Sequence, residues 1–258
     1  MTSLAAPSPL LAVLDSAGEP QALEGGRRLP LDQPDRAWLV EGGAVDIHAR
    51  QRDGGGMRDF LFQVPAGGLL FGGEAHPDLA LMAMAGPDVR LHPLSLPGAG
   101  LSTEAARVLA PKVDDWIKGL AAALARAVVP RDRSQRGLAG GERLERAGEQ
   151  TLVARQGVVW ARLELGRGRF VDLVEVFAGG MVPLTQSCWL RPGEDAALRG
   201  YSTVALLRAA GWSRRVSSAN RLAAQVLAHD FGGRAEREAR RLTERAESGE
   251  IDRDRVLR

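Results

Sequence analysis

A short run in the first half of the chain holds the residue types best suited to contacting a small anion. It consists of Phe71, Gly72, Gly73 and Glu74. Backbone N–H groups at a glycine-rich turn can face an anion, and a neighbouring carboxylate can accept hydrogen bonds from a ligand. A phosphate would also need a cation, yet the charged residue that follows is Asp78. The charge at position 78 therefore decides which ligands this turn accepts.

This run resembles the phosphate-binding cassette of cyclic-nucleotide-binding domains, with one extra glycine, and residues 83–94 resemble its exit strand. In such domains a Glu holds the ribose and an Arg on a short helix holds the cyclic phosphate. Asp78 stands where that Arg would be, which loses a charge-assisted hydrogen bond of about 1.5–3 kcal/mol and adds repulsion. We therefore expect no cofactor and a degenerate nucleotide-like pocket. Its residues would be Phe71, Gly72, Gly73, Glu74, Asp78 and, as a substitute cation, Arg90.

Short β-like runs separated by glycine surround this pocket. Trp38 to Ile47 is apolar around a Gly42-Gly43 turn, and Phe60 to Val64 alternates with the period of a strand. A second set of such runs begins near residue 151, and residues 157–165 echo residues 38–47. Closely spaced short strands with turn residues between them favour a barrel or sandwich. We predict a mainly β protein with α (α+β), built from tandem β-rolls of the jelly-roll, cyclic-nucleotide-binding-like type.

Helical periodicity separates and follows these rolls. Apolar residues recur at three- and four-residue steps from Val113 to Val128, and Ser218 to Asn220 has the composition of a helix start. Residues 234–247 are almost wholly charged, as in an exposed helix. We expect a flexible leader (1–22), a cyclic-nucleotide-binding-like roll (23–100), connecting helices (101–130), a second roll (131–195) and a helical segment (196–258).

Composition and motifs argue against an enzyme. The 34 Lys+Arg nearly balance the 32 Asp+Glu, which gives no case for nucleic acid as a partner. Cys188 is the only cysteine, so disulfides and cysteine-based zinc sites are excluded. The chain has neither a phosphate-binding P-loop nor a Gly-x-Ser-x-Gly motif. Its four histidines lack metal-ligand spacing, and the turn carboxylates have no acid–base partner. The histidines are His48, His76, His92 and His229, and the carboxylates near turns are Glu41, Asp46 and Glu74.

Several strings resemble the N-terminal region of bacterial ABC exporters associated with nitrile-hydratase-like leader (NHLM) bacteriocins, which are ribosomally made and modified peptides. The strings lie at 35–47, 62–72, 156–162, 183–190 and 202–203, within residues 25 to 230. In that family a cyclic-nucleotide-like region precedes six membrane helices and an ATPase domain. The resemblance implies either the cytoplasmic part of an exporter or a stand-alone relative. ATP would then act only in the ATPase domain, which this sequence does not contain.

The resemblance also implies partners and a location. They are a peptide cargo or its leader, the exporter's membrane and ATPase domains, and a second copy or paired subunit, at the cytoplasmic face of the plasma membrane. The charged segment 234–247 would lead toward the membrane domain. Our first hypothesis is a non-catalytic regulatory or docking domain of a peptide exporter. The alternatives are a cyclic-nucleotide-type small-ligand sensor and a stand-alone assembly protein.

Overall fold

A computed structural model describes residues 9–23, 28–52, 58–86, 88–128, 134–145 and 150–247. The predicted fold class is confirmed, because the chain forms two tandem β-rolls with helices between and after them. The strands of the first roll are β1 (Asp15–Ser16), β2 (Gln21–Leu23), β3 (Arg28–Pro30), β4 (Arg36–Glu41), β5 (Ala44–Gln51), β6 (Arg58–Pro65), β7 (Leu69–Phe71), β8 (Leu79–Ala85) and β9 (Val89–Ser95).

The second roll begins after the first long helix. Its strands are β10 (Gln135–Leu138), β11 (Arg143–Leu144), β12 (Thr151–Ala154), β13 (Val159–Leu165), β14 (Arg167–Phe170), β15 (Val174–Phe177), β16 (Met181–Leu184), β17 (Leu190–Pro192) and β18 (Ala197–Ser202). The helices are a 3-10 turn (Pro9–Ala12), α1 (Thr103–Ala127), α2 (Thr203–Leu207) and α3 (Trp212–Glu247). No helix within these described segments is long and apolar enough to cross a membrane.

The two rolls share one strand-pairing scheme. In the first, β3-β8-β5-β6 form one sheet, and β4 lies between β9 and β7 in the other. In the second, β12-β17-β14-β15 follow the same order, and β13 lies between β18 and β16. Strands β2 and β11 add to β9 and β18 in the same way. Each strand from β3 to β9 therefore has a structural equivalent from β12 to β18.

A repeated turn fixes this equivalence residue by residue. The sequence Val-x-Ala-Gly-Gly occurs at 64–68 and again at 176–180. Gly67 and Gly179 both have positive φ angles, +77° and +87°, which favour glycine. Each donates its N–H to the roll's central strand, to Val40 O and Leu163 O, both at 2.8 Å. We call these the Ala-Gly-Gly turns.

The Ala-Gly-Gly turns correct the echo seen in the sequence. Trp160 pairs with Pro183, which lies three positions after the second turn. The residue three positions after the first turn is Phe71, and its partner is Ala37. Trp160 is therefore equivalent to Ala37 rather than to Trp38. A one-residue offset on a strand reverses the face of the sheet, so the two tryptophans enter different parts of their rolls.

Helix α1 packs against the first roll along the face that the periodicity predicts. Its buried residues include Val113, Trp116, Ile117, Leu120 and Leu124. The Ser102 hydroxyl accepts a hydrogen bond from Ala105 N at 3.2 Å and so caps the N-terminus. The helix thereby carries Trp116 into the space between the first roll and α3.

Three boundary predictions are wrong. The leader is packed from residue 9 onward, because Leu10 and Leu14 are 2% exposed and β1 pairs with β9; residues 1–8 lie outside the described chain. The expected helical segment after 195 opens with β18, which pairs with β13. Helix α3 begins at Trp212, not at Ser218. The polar residues 218 and 220 therefore lie inside a helix, where the Asn220 side chain forms tertiary hydrogen bonds.

Candidate functional site

The predicted ligand-binding run lies in the connection between β7 and β8, residues 72–78, which we call the cassette loop. It is irregular and contains no helix. Gly72 N donates to Arg36 O at 2.9 Å, and Gly73 N donates to Leu31 O at 3.0 Å. A Cβ on Gly72 would lie 1.9 Å from the backbone oxygen of Gln33, so only glycine fits there. These N–H groups are used within the roll and do not face an anion.

Helix α3 contacts the cassette loop at Gly73 and Glu74. Glu74 N donates to Ser217 Oγ at 3.1 Å, and Glu74 Oε2 lies 2.9 Å from Nη1 of Arg221. A Cβ on Gly73 would lie 2.6 Å from the Cβ of Asn220, so the loop and the helix are in close contact. The carboxylate at the position of the ribose-binding Glu of the resembled domains is thus paired with a helix of the same chain.

A buried hydrogen-bond chain anchors α3 to this position. Asn220 Nδ2 donates to Phe71 O at 2.8 Å, and Asn220 Oδ1 accepts from Trp116 Nε1 at 2.7 Å. Asn220 is 2% exposed, and the Phe71 ring lies 6.0 Å from that of Trp116. Buried amides are costly unless they are paired, and here one amide satisfies partners from both the roll and α1. Asn220 therefore joins the first roll, α1 and α3.

The structure separates the predicted site residues. Phe71 is a core residue, Gly72 and Gly73 form the buried backbone of the loop, and Glu74 pairs with Arg221. Asp78 is exposed, and its N–H donates to His76 Nδ1 at 3.3 Å. Arg90 is exposed on β9, opposite Glu41 and Ala22, and β4 lies between it and the strand of Phe71.

A cleft separates the cassette loop from the second roll. Asp78 and His76 line one side, and Glu175 of β15 and His229 of α3 line the other, around a volume of about 550 Å³. Within the described segments, no three His, Cys, Asp or Glu side chains are grouped so that they could hold a metal ion. The cleft is thus a polar boundary between loop, helix and second roll.

The equivalent loop of the second roll, residues 185–189, is closed by its own side chains. Thr185 Oγ1 accepts hydrogen bonds from the N–H groups of Ser187 (3.0 Å) and Cys188 (2.9 Å). Burial raises the pKa of the Cys188 thiol to about 12, although the Thr185 hydrogen bond opposes this shift. At neutral pH the thiol is protonated and therefore a poor nucleophile.

The turn between β14 and β15 contacts the same loop. Asp172 forms an ion pair with Arg191, 2.8 Å from Oδ1 to Nε, and accepts from Trp189 Nε1 at 3.3 Å. Val171 has φ +45° and Asp172 φ +62°, and a β-branched residue rarely adopts such a conformation. The ion pair holds this strained turn closed over the second loop.

A second polar chain ties the second roll to α1. Trp160 Nε1 donates to Thr203 Oγ1 at 3.1 Å, and the Thr203 hydroxyl in turn donates to Asp114. Burial raises the pKa of Asp114, and the hydrogen bond from Thr203 and the charge of Lys118 oppose the shift. One turn of α1 therefore carries polar anchors to both rolls, Asp114 to the second and Trp116 to the first.

Comparisons with known proteins give fold-level neighbours only. No protein-family profile matches the chain, and no curated protein is significantly similar to it. A solved structure of cAMP-bound PfPKA-R is 13% identical, covering 83% of this chain and 80% of that one, with a TM-score of 0.26.

Two further structures have similar values. The regulatory domain of Toxoplasma gondii PKA with cAMP is 12% identical, with 79% and 85% coverage and a TM-score of 0.23. The regulatory subunit of a cAMP-independent protein kinase A from Trypanosoma brucei is 10% identical, with 79% and 78% coverage and a TM-score of 0.23. The residues described above therefore have to carry any functional conclusion by themselves.

The sequence pattern missed the residues that close the cassette loop. Ser217, Asn220 and Arg221 lie more than 140 positions along the chain from their partners, which are Phe71 and Glu74. One signal was available: Asn220 is a polar residue within an apolar helical stripe, and such a residue needs a buried partner. The identity of that partner is a tertiary contact.

Proposed function

We propose that this chain is a non-catalytic regulatory and docking module of a peptide exporter, of the kind that its sequence resembles. The observation that carries the proposal is the closure of the cassette loop by α3: Glu74 is bound by Ser217 and Arg221, and Gly73 is in contact with Asn220. In this roll the loop that would hold a ligand is bonded to a helix of the same chain. We therefore assign the roll to protein contacts rather than to a small ligand.

Electrostatics supports this interpretation. The ligand's phosphate would meet Asp78 on the loop, and the nearest loop carboxylate, Glu74, already has a cationic partner in Arg221. A ribose hydroxyl could take up Glu74 only by displacing Arg221 from it. A peptide or a partner protein needs no such displacement, because it can bind the outer surfaces of the rolls and α3.

The proposal includes partners and a location. The module would bind the peptide cargo or its leader, contact the exporter's membrane and ATPase domains, and act as a homodimer or paired subunit at the cytoplasmic face of the plasma membrane. The nearly balanced charge of the chain, formally +2, is consistent with protein partners rather than nucleic acid.

Calorimetric titration with the leader peptide of a genetically neighbouring precursor tests the proposal. We expect saturable binding to the leader and none to a scrambled peptide of the same composition. Absence of binding to the leader, to the exporter's other domains and to itself would refute the docking role. Self-association without any peptide binding would favour the stand-alone assembly protein.

A small-ligand sensor is the second candidate, and one observation favours it. The side chains of Glu74 and Arg221 are 45% and 48% exposed, so an anionic ligand can reach the ion pair and compete for the arginine. Titration with cyclic AMP, cyclic GMP and cyclic dinucleotides distinguishes the candidates. We expect no saturable signal; saturable binding that Glu74→Ala weakens would establish the sensor instead.

A further inference from the structure

The two rolls differ at the seam between each Ala-Gly-Gly turn and the helix that follows the roll. In the first roll this seam is filled by aromatic rings: Phe62 of β6 and Trp116 of α1 lie edge to face, with centroids 5.2 Å apart. The remaining space is about 100 Å³. A Cβ on Gly119 would lie 2.5 Å from the Phe62 ring, so the helix is packed closely against it.

The equivalent seam of the second roll is open. It is a groove of about 440 Å³ between residues 174–182 and α3, and we call it the turn groove. Val174 stands two residues before the valine of its Ala-Gly-Gly turn, which is the position of Phe62 in the first roll. On the helix side the groove is lined by Ser218 and Leu222 and by no aromatic residue. The space filled by two rings in one roll is thus empty of large side chains in the other.

The walls of the turn groove indicate what could fill it. Arg215 and Arg221 lie on the α3 side, and Arg221 is already paired with Glu74 at 2.9 Å. The one carboxylate on the strand side, Glu175, lies 3.7 Å from Nη2 of Arg169, outside the groove. With Arg221 paired to Glu74 and Glu175 paired to Arg169, Arg215 is the groove charge left without a carboxylate partner among the described residues, beside apolar side chains such as Val174 and Leu222. An occupant that carries carboxylates is favoured over a basic one.

Strand β15 adds a backbone surface along the groove. It is the edge strand of its sheet and, within the described chain, pairs only with β14. Bonded and non-bonded pairs alternate along an antiparallel ladder, and Ala178 N donates to Gly166 O at 3.0 Å. By this alternation the backbone groups of Glu175 point away from β14. An edge with outward N–H and C=O groups can accept a further extended strand.

Phe177 ends this edge and is 59% exposed. Phe177 also lines the turn groove, so its ring is available to an occupant.

We infer that the turn groove is the docking site for an extended acidic peptide. One large apolar side chain of the peptide enters the space equivalent to the one that Phe62 and Trp116 fill in the first roll, and flanking carboxylates meet Arg215. The peptide backbone lies along β15. This inference deepens the proposed docking function by naming the site and the chemistry of the peptide, and it rests on that function for the peptide's origin.

A fluorescent peptide of about ten residues, which spans roughly 33 Å when extended, is the probe. It carries a single Phe between two pairs of Glu, with Ser and Thr elsewhere. Matched peptides replace Phe by Ala or each Glu by Lys. Fluorescence anisotropy should show saturable binding of the first peptide, weaker binding of the Ala peptide and none of the Lys peptide.

Two variants locate the site. Val174→Phe gives the second roll the side chain that the first roll has at the equivalent position, Phe62. The ring should fill the groove and weaken binding at least about tenfold without lowering the Tm. If that variant does not fold, Leu222→Phe fills the groove from the helix side. Arg215→Gln should weaken binding about two- to fivefold, the range for an exposed pair. The matched control Arg214→Gln changes an exposed arginine outside the groove and should bind like the wild type.

The leader-peptide titration, repeated with Val174→Phe, separates this inference from the function on which it rests. If the variant retains full affinity for a leader that binds the wild type, the docking function stands and the turn groove is the wrong site. Equal binding of the acidic and basic probes, or no binding of the acidic probe, would also overturn the inference. If neither leader nor acidic probe binds the wild type, both proposals are wrong.

Discussion

Replacing Asn220 by alanine tests whether the buried hydrogen-bond chain holds α3 on the first roll. The change removes the acceptor of Trp116 Nε1 and the donor to Phe71 O, which lie 2.7 and 2.8 Å from the amide. Each buried group left without a partner costs about 1–3 kcal/mol, so the free energy of unfolding should fall by about 2–6 kcal/mol. Since domains are typically stable by about 5–15 kcal/mol, this is a large fraction of the total.

The matched control is Ser218→Ala, two residues away on the same helix. Both substitutions place alanine inside α3 and gain similar helix propensity, but no described hydrogen bond joins the Ser218 side chain to the roll. Urea denaturation followed by circular dichroism gives both free energies, and an unchanged m-value shows that the same transition is compared. If Asn220→Ala is destabilised no more than Ser218→Ala, the hydrogen bonds of Asn220 do not hold α3 against the first roll. The proposal that rests on this contact would then fail.

Asn220→Asp distinguishes the contributions of the two hydrogen bonds that Asn220 forms. The aspartate keeps an acceptor for Trp116 Nε1 but loses the donor to Phe71 O and places a carboxylate against that carbonyl. We expect a loss of stability at pH 7 that is partly recovered at acidic pH, where the carboxyl is protonated and can donate. A variant as stable as the wild type at pH 7 would show that the bond to Phe71 contributes nothing.

The other predictions concern single side chains. Burial raises the pKa of Asp114 above its ordinary 3.8, so ionisation of its carboxyl lowers the free energy of unfolding as pH rises through the folded-state pKa. Asp114→Asn should therefore raise the Tm at pH 7 and lose that advantage below about pH 3.8. The exposed control Asp115→Asn should not show this pH dependence, and equal effects of the two substitutions would contradict the prediction. Gly72→Ala, with a Cβ 1.9 Å from a backbone oxygen, should unfold at lower temperature, and Gly232→Ala, with nothing within 4 Å, should unfold slightly higher; calorimetry giving the same sign for both would be inconsistent with the loop geometry. Cys188, with its thiol pKa raised to about 12, should react with a thiol reagent at pH 8 only after urea unfolding, and rapid labelling of the native protein would show that the burial is wrong.

Local patterns predicted the parts of the fold that local physics controls. The strand predicted from Phe60 to Val64 is β6, and the apolar steps from Val113 to Leu124 are buried along α1. The alternation itself is interrupted, because a register shift in the pairing with β5 leaves Phe60 exposed and Leu61 buried. The Ala-Gly-Gly turn at 176–180 could also have been found from the sequence, because its five-residue pattern matches 64–68. It gives the register between the two rolls, in which Trp160 is equivalent to Ala37.

Boundaries and long-range contacts were not predictable in this way. Segment 134–145 has the composition of a linker but forms β10 and β11, because β12 and β18 offer open edges to it. Leu10 and Leu14 lie in a segment rich in Ala, Ser and Pro, yet they are buried against the first roll. Composition reports local preference, whereas burial depends on which surface is within reach in the folded chain.

The sequence by itself determined that two β-rolls would form, that α1 would present one apolar face, and that the loop beginning at Phe71 would carry Asp78 in place of a cation. Periodicity, turn chemistry and residue charge are local properties, so they can be obtained from neighbouring positions. The tertiary structure alone decided that α3 returns to the first roll, binds Glu74 through Arg221 and leaves the turn groove of the second roll open. Those outcomes depend on side-chain volumes and hydrogen-bond partners that meet only after the whole chain has folded.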